Sequence, residues 1–147
     1  MSTVTAATDI VISTDKNLLD INYIHHFLTH SYWSPGIPVS TVKKAIEGAL
    51  CFGVYLDNQQ VGFARMITDK ATFAYLADVF IDEKYQGRGY AKKLMKYIMA
   101  HPDLQGLRRM LLATKDAHGL YSQSGFSLLT NTDRWMQIHN PDAYKVK

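Results

Sequence analysis

The sequence predicts one α/β domain (α+β in some classifications) built around a mixed β-sheet. Its 147 residues, 47% hydrophobic and 20% charged, have the size and balance of a single globular domain. Helical and strand-like apolar patterns follow one another in the order β-α-α-β-β-β-α-β-α-β-β. Residues 71–81 are apolar on both faces, as in a central strand buried on two sides. We assign residues 9–147 to this domain.

The first predicted elements are a strand and a long helix. Residues 1–8 are expected to form a flexible terminus. Residues 9–13 are short and β-branched, which favours a strand. Apolar side chains recur three and four positions apart over residues 16–31. This spacing predicts a helix with Thr14 or Asp15 as its N-cap.

A loop separates this helix from a shorter second one. Two prolines and a glycine fall within four residues of the stretch 33–38, which predicts a loop. The second helix is expected to start at Ser40 or Thr41 and to end near Gly48.

A β-hairpin is predicted next. Residues 50–56 and 60–68 are strand-like and flank Asp57 and Asn58, which are typical hairpin-turn residues. The central strand 71–81 follows the hairpin.

The second half of the chain is predicted to hold two helices and three strands. Gly125 closes the second of these helices as its C-terminal residue. The elements are helix 90–100, strand 109–114, helix 116–124, and two C-terminal strands at 126–129 and 135–139 that could pair antiparallel.

Composition excludes several classes of function. The net charge of +3 is small, and no lysine or arginine cluster indicates nucleic-acid binding. No segment has the roughly 18 apolar residues of a membrane span. Cys51 is the single cysteine, so no internal disulfide can form, and a cytoplasmic location is expected. His26 and His30 have the spacing of a metal pair but lack a third ligand, so we expect no metal.

The richest chemistry lies between the central strand and helix 90–100. Gly87 and Gly89 remove side chains where the backbone must approach a ligand closely. The free N–H groups at the start of the following helix can hold a phosphate or pyrophosphate. A P-loop lysine and the third glycine of a Rossmann fingerprint are both missing. A tight strand-to-helix turn without a ligand explains the glycines equally well.

A second motif gives this loop a context. Gln86, Gly89 and Ala91 fit the pattern Q/R-x-x-G-x-G/A, and residues 116–126 (DAHGLYSQSGF) fit N/D-A-x-x-L/F-Y-x-x-x-G-F. The two motifs in this order resemble the GNAT acetyltransferase superfamily. The element order resembles that family over nearly the whole chain. The loop at residues 33–38 resembles a small single-domain bacterial subgroup.

The resemblance implies a fold and a co-substrate. It implies a twisted, mixed but mostly antiparallel sheet of six to seven strands, flanked by about four helices and splayed between strands 4 and 5. It implies acetyl-CoA, with no metal, held by the exposed backbone of the splayed strand, by the glycine loop and by the residue before the second motif's alanine. The positions are Val79, Phe80, Ile81, Gln86, Gly87, Arg88, Gly89, Tyr90, Ala91, Lys92 and Asp116.

Two residues are candidates for proton transfer. The resemblance implies Tyr121 as the general acid for the departing thiolate, whereas its helical spacing with Ala117 and Leu120 also suits a core aromatic. Asp78, on the buried strand, is a candidate base or a structural salt-bridge partner. Asp116 is equally a cofactor contact or the N-cap of its helix.

His25, Tyr32 and Trp33 are candidate acceptor-site residues, because aromatic side chains on a rigid loop can stack on or cage an amine. The function these observations predict is acetyl transfer to a small-molecule or peptide primary amine by direct attack. The alternative is a non-catalytic acyl-CoA-binding or protein-interaction module. The C-terminal strand 135–139 could pair across a homodimer.

Overall fold

A five-stranded sheet in the order β1-β2-β3-β4-β5 is the centre of the computed structural model, which describes residues 9–145. The strands are β1 (Val11–Ser13), β2 (Leu50–Leu56), β3 (Gln59–Thr68), β4 (Phe73–Ile81) and β5 (Arg109–Leu112). The helices are α1 (Ile21–Thr29), α2 (Val39–Glu47), α3 (Tyr90–Ala100) and α4 (His118–Ser122).

The sheet is mixed and mostly antiparallel, as predicted. Strands β1 to β4 pair antiparallel in chain order, and only β4 and β5 run parallel. Asp57 and Asn58 join β2 to β3 with positive φ angles of 50° and 64°. Two successive left-handed residues form the hairpin turn whose twist matches the strands, and the Asp-Asn pair tolerates it.

The sheet opens between β4 and β5. Their pairing covers four residues of β4, from Phe73 to Leu76, and ends where Leu76 meets Leu112. Strand β4 continues through Ile81, so residues 77–81 have no strand partner on the β5 side within the described part of the chain. The predicted splay is therefore present, and it leaves five residues of backbone facing a cleft.

Two apolar clusters cover the two faces of the sheet. One buries Leu94, Met95 and Ile98 of α3 with side chains of β2, β3 and β4. The other buries Ile24 and Leu28 of α1 against α2 and the opposite face. Helices on both faces of a sheet form the layered α/β arrangement that the element order predicts. No helix among residues 9–145 is long and apolar enough to span a membrane.

The helix predicted over residues 16–31 is interrupted. Lys16–Leu18 form a 3-10 turn, and α1 begins only at Ile21. Asp20 causes the break, because its carboxylate accepts a hydrogen bond from the Tyr23 N–H and caps a new helix.

The expected strands at 126–129 and 135–139 do not form, so the sheet has five strands rather than six or seven. Asn131 adopts a left-handed φ of 54°, and Thr132–Arg134 form a 3-10 turn in place of a hairpin. The Trp135 ring instead lies 4.7 Å from the Arg109 guanidinium at the start of β5. The expected terminus at 1–8 lies outside the described residues.

Candidate active site

The cleft between β4 and β5 leads to residues 86–91, which we call the glycine loop. Gly87 and Gly89 both have left-handed φ angles, 79° and 80°, which favour glycine. A Cβ built at either position would meet no atom within 4 Å, so this side of the loop faces open space. The loop conformation therefore both requires glycine and leaves room for a ligand.

The start of α3 supplies hydrogen-bond donors to the same space. Its first internal bond runs from the Lys93 N–H to the Gly89 carbonyl, at 3.1 Å. The N–H groups of Tyr90, Ala91 and Lys92 precede this bond and have no partner inside the helix. Together with the helix dipole, these donors suit a pyrophosphate.

Most of the glycine-loop residues that were predicted to bind the co-substrate line one cavity of about 310 Å³. Arg88 is the exception, because its guanidinium lies 5.2 Å from the Tyr85 ring centroid instead. The lining residues are Ile81, Tyr85, Gln86, Gly87, Gly89, Tyr90, Ala91, Lys92 and Leu120.

Side-chain hydrogen bonds fix the loop to the rest of the domain. Gln86 Nε2 donates to the Ile81 carbonyl at 3.0 Å and closes the strand-to-helix turn. The Tyr23 hydroxyl donates to Asp82 Oδ2 at 3.0 Å and ties α1 to the end of β4. Burial, followed by this contact with Asp82, raises the pKa of Tyr23, so its phenol stays a donor. The loop is thus held in place before any ligand binds.

A second cavity, of about 340 Å³, lies where the sheet opens. It brings together six of the predicted catalytic, acceptor and cofactor residues with others not predicted. Its lining includes Tyr32, Trp33, Tyr75, Asp78, Val79, Thr114, Lys115, Asp116 and Tyr121.

Tyr121 is the most enclosed phenol of this cavity, with 9% of its surface exposed. It packs edge-on against Phe126, with ring centroids 6.1 Å apart. Burial raises its pKa above the ordinary tyrosine value, and Tyr32 and Asp116 add to the shift. The phenol is therefore neutral at physiological pH and can donate a proton.

Asp78 projects into the cavity because β4 bulges at this point. The register between β3 and β4 shifts between Phe63 and Arg65, and Asp78 adopts a φ of 57°. A bulge turns one side chain out of the regular alternation, and aspartate is among the few residues that tolerate this conformation.

Both oxygens of the Asp78 carboxylate have partners. Oδ1 accepts from Trp33 Nε1 and Oδ2 accepts from Arg65 Nε, each at 2.9 Å. The carboxylate side chain is 8% exposed and that of Arg65 is 18% exposed. Each oxygen keeps a further lone pair for a water or an ammonium group. Trp33 therefore joins the loop between α1 and α2 to β4 through Asp78.

Arg65 was not predicted from the sequence, although a signal was present. It is the single charged residue in the apolar stretch 61–68, on the strand next to the one that carries Asp78. A buried charge in a central strand needs an opposite charge nearby, which would have pointed to Asp78.

The surroundings of three predicted residues limit what each side chain can do. Asp116 does not cap α4, whose N-cap is Ala117 without a side-chain bond. Thr114 Oγ1 instead accepts from the Ala117 N–H at 3.1 Å. His25 Nε2 lies 3.0 Å from the Ile37 carbonyl and does not line the cavity. The Phe80 ring stacks on Phe27 at 3.8 Å, on the α1 side of the sheet, so only its backbone faces the cleft.

Other reactive groups lie apart from this cavity. Burial raises the pKa of the Cys51 thiol to about 11, which makes it a poor nucleophile. His30 Nδ1 contacts the His26 carbonyl at 2.7 Å. Within residues 9–145 no three His, Cys, Asp or Glu side chains are close enough to hold a metal ion.

Comparison with known proteins connects this geometry to one family. Residues 47–128 match the family model described as an acetyltransferase (GNAT) domain. A Gibberella zeae protein named as a candidate acetyltransferase is 31% identical over 139 residues, covering 79% of this chain and 77% of the relative.

Solved structures that resemble this chain include proteins of the same family. A GNAT-family protein from Xanthomonas campestris, also named as a candidate acetyltransferase, is 50% identical with a TM-score of 0.91. That match covers 93% of this chain and 97% of the other. A Clostridium acetobutylicum protein named as a candidate acetyltransferase, whose crystal structure contains acetyl-CoA, shares the fold, with a TM-score of 0.64, 13% identity and coverages of 89% and 95%.

Proposed function

This chain belongs to the GNAT acetyltransferase family, and on that basis we propose that it is an enzyme that transfers an acetyl group from acetyl-CoA to a primary amine. The observation that carries the proposal is the arrangement around one cleft. The glycine loop and Ile81 at the end of β4 line one cavity, and Val79 of the unpaired β4 edge lines the adjoining cavity with the buried neutral phenol of Tyr121.

The co-substrate fits the residues present. The N–H groups at the start of α3 and the side chain of Lys92 would hold the pyrophosphate. The free backbone edge of Val79, Phe80 and Ile81 would pair with the pantetheine arm as an added strand. An N–H of this edge would also hydrogen-bond the thioester oxygen as negative charge develops on it. Acetyl-CoA supplies an activated acetyl group with a thiolate leaving group.

Tyr121 is proposed as the general acid. Since burial raises its pKa, the phenol keeps its proton until it is needed. As the bond between the acetyl carbon and sulfur breaks, the phenol proton passes to the departing sulfur. The phenol side chain thus prevents a free thiolate from accumulating in a partly buried cavity.

Asp78 is proposed to receive the amine proton, directly or through water. Asp78 lines the cavity, and Trp33 and Arg65 hold its carboxylate in a fixed orientation. The aromatic side chains of Tyr32 and Trp33 form the acceptor wall and can stack on a cationic amine.

A cytoplasmic setting is part of this proposal, because Cys51 is buried and free.

The test is to compare Tyr121→Phe with the wild-type protein. Thiol release with an amine panel would measure kcat, and calorimetry would measure Kd for acetyl-CoA. We expect kcat to fall by about 100-fold or more, as for loss of a general acid, with an unchanged Kd. Tyr97→Phe on the outer face of α3 is the matched control and should behave as wild type.

Two results would contradict the proposal. Full turnover of Tyr121→Phe would remove this residue as the acid. Tight acetyl-CoA binding by the wild-type protein without turnover of any amine would favour a non-catalytic acyl-CoA-binding module.

A further inference from the structure

Lys115 is the one lysine or arginine among residues 9–145 that lines the cavity at the opening of the sheet. It follows β5 and shares this cavity with Asp78 and Tyr121, the proposed base and acid. It does not line the cavity formed by the glycine loop, and the lysine of that cavity, Lys92, does not line this one. The charge of Lys115 is therefore placed beside the proposed acceptor site rather than beside the proposed pyrophosphate site.

The charge of Lys115 has no counter-ion within the described part of the chain. None of the ion pairs formed there includes Lys115. The Asp78 carboxylate is paired with Arg65 Nε at 2.9 Å. Asp116 also lines the cavity, but its carboxylate helps to raise the pKa of the Tyr121 phenol and forms no ion pair with Lys115. The cavity thus contains a lysine whose charge no ion pair compensates.

The Lys115 ammonium also occupies part of the aromatic wall, since it lies 5.3 Å from the centroid of the Tyr32 ring. A ring that already holds one cation is a poor site for a second, because the two ammonium groups would repel each other. Trp33 packs edge-on against Tyr32, with ring centroids 5.0 Å apart, and its indole N–H donates to Asp78. The aromatic wall therefore has a carboxylate at its Trp33 end and an ammonium group at its Tyr32 end.

We propose that the acceptor is an amine that also carries an anionic group, a carboxylate or a phosphate, and that Lys115 determines this specificity. The specificity rests on the proposed function, because it concerns the second substrate of that reaction. The amine would lie at the Trp33 end of the wall, where Asp78 can take its proton. The anionic group would lie at the Tyr32 end, where the lysine ammonium can donate hydrogen bonds to it. Carboxylates and phosphates share the charged oxygens that accept such bonds.

Amines of other charge complement this cavity less well. A diamine would bring its second ammonium group towards the like charge of Lys115. A neutral amine would gain no ionic contact with it. Because Lys115 is exposed, water and salt weaken any contact that it makes. We therefore expect a preference of about tenfold in kcat/KM, the lower end of what a hydrogen bond to a charged group contributes.

The test compares four acceptors that each carry a primary amine on a short chain. They are γ-aminobutyrate, its neutral amide γ-aminobutyramide, putrescine and aminopropyl phosphate. Thiol release at saturating acetyl-CoA gives kcat and KM for each. For the wild-type protein, the better anionic acceptor should exceed the amide about tenfold in kcat/KM through a lower KM, and putrescine should be the poorest of the four. The ratio between the two anionic acceptors distinguishes a carboxylate from a phosphate substrate.

Substitutions of Lys115 test whether this residue is the cause. Lys115→Met keeps the aliphatic stem, so it should raise KM for the anionic acceptors about tenfold and leave KM for the amide and Kd for acetyl-CoA unchanged. Lys115→Arg should retain the preference, and Lys115→Glu should reverse it in favour of putrescine. Lys43→Met, at an exposed lysine of α2 outside the cavity, is the matched control and should behave as wild type. Each variant should keep the wild-type circular dichroism spectrum, because both lysines are exposed.

Three results would overturn the specificity while leaving acetyl transfer intact. These are equal kcat/KM for all four acceptors, a wild-type preference for putrescine, and a preference for anionic acceptors that persists in Lys115→Met. If no amine of this set or of a wider panel is acetylated, the proposed function fails and the specificity fails with it. Release of the coenzyme A thiol with at least one amine therefore distinguishes the two failures.

Discussion

Removing the Arg65 guanidinium should destabilise the protein more than removing any charge from its surface. Arg65→Met keeps most of the aliphatic volume but leaves the Asp78 carboxylate, 8% exposed, without its ionic partner. Breaking a buried ion pair from one side costs about 3–5 kcal/mol. The Trp33 hydrogen bond remains, and Arg65 is 18% exposed, so some water can enter. We therefore expect a loss of about 2–3 kcal/mol in the free energy of unfolding.

Urea unfolding measured by fluorescence gives this loss directly, and a thermal scan should show a Tm lower by roughly 5–10 °C. The matched control is Lys70→Met, which breaks the exposed pair with Asp103 at 3.8 Å. Exposed pairs contribute about 0–1 kcal/mol, so Lys70→Met should be close to wild type.

A double variant tests the cause of the loss. Asparagine tolerates the left-handed φ of 57° at position 78 and carries no charge. In Arg65→Met/Asp78→Asn the uncompensated charge is gone, so stability should exceed that of Arg65→Met alone by about 1–2 kcal/mol. If the double variant is less stable than Arg65→Met, buried charge is not the reason and the ion-pair argument fails.

Two further predictions concern the glycine loop and the phenol. Gly89→Glu should weaken acetyl-CoA binding by about 100-fold, roughly 2.7 kcal/mol, because a carboxylate then faces the proposed pyrophosphate site. Gly89→Ala shares the backbone strain at φ 80° without the charge, and equal losses in the two variants would rule out repulsion. Since burial raises the pKa of Tyr121, its donor form persists above pH 10. In a profile of kcat against pH, the rise on the acid side should reflect deprotonation of the general base and of the amine. Any fall in kcat that depends on Tyr121 should begin only above about pH 10. A fall near pH 8 that disappears when Tyr121 is replaced would contradict the assignment.

The sequence predicts the parts of this fold whose signals are local. The Asp57-Asn58 turn, the glycine loop and the amphipathic pattern of α3 each specify their own backbone, and all three are present. The partial pairing of β4 with β5 is not a local property. It was expected only because the chain resembles the GNAT superfamily. Local capping also explains an error, since Asp20 starts a new helix inside a continuous apolar pattern.

The remaining differences depend on contacts between distant residues. The bulge at Asp78 arises from the register of β3 against β4, which alternation along one strand cannot reveal. At the C-terminus, the apolar residues near Met136 and Ile138 were strand-like in sequence, yet within one chain they find no strand to pair with. A strand needs a partner edge, and the pattern of one segment does not show whether such an edge is available.

The opening of the sheet has a consequence for the order of events during turnover. Only four residue pairs join β4 to β5. The loop that carries Trp33 and helix α4, which carries Tyr121, each contribute a wall to the cavity at this opening. A ligand paired along residues 77–81 would act as a missing strand and fix the spacing of the two sides. The amine would then enter a cavity whose width the first substrate has already set, which favours a sequential mechanism with acetyl-CoA bound first.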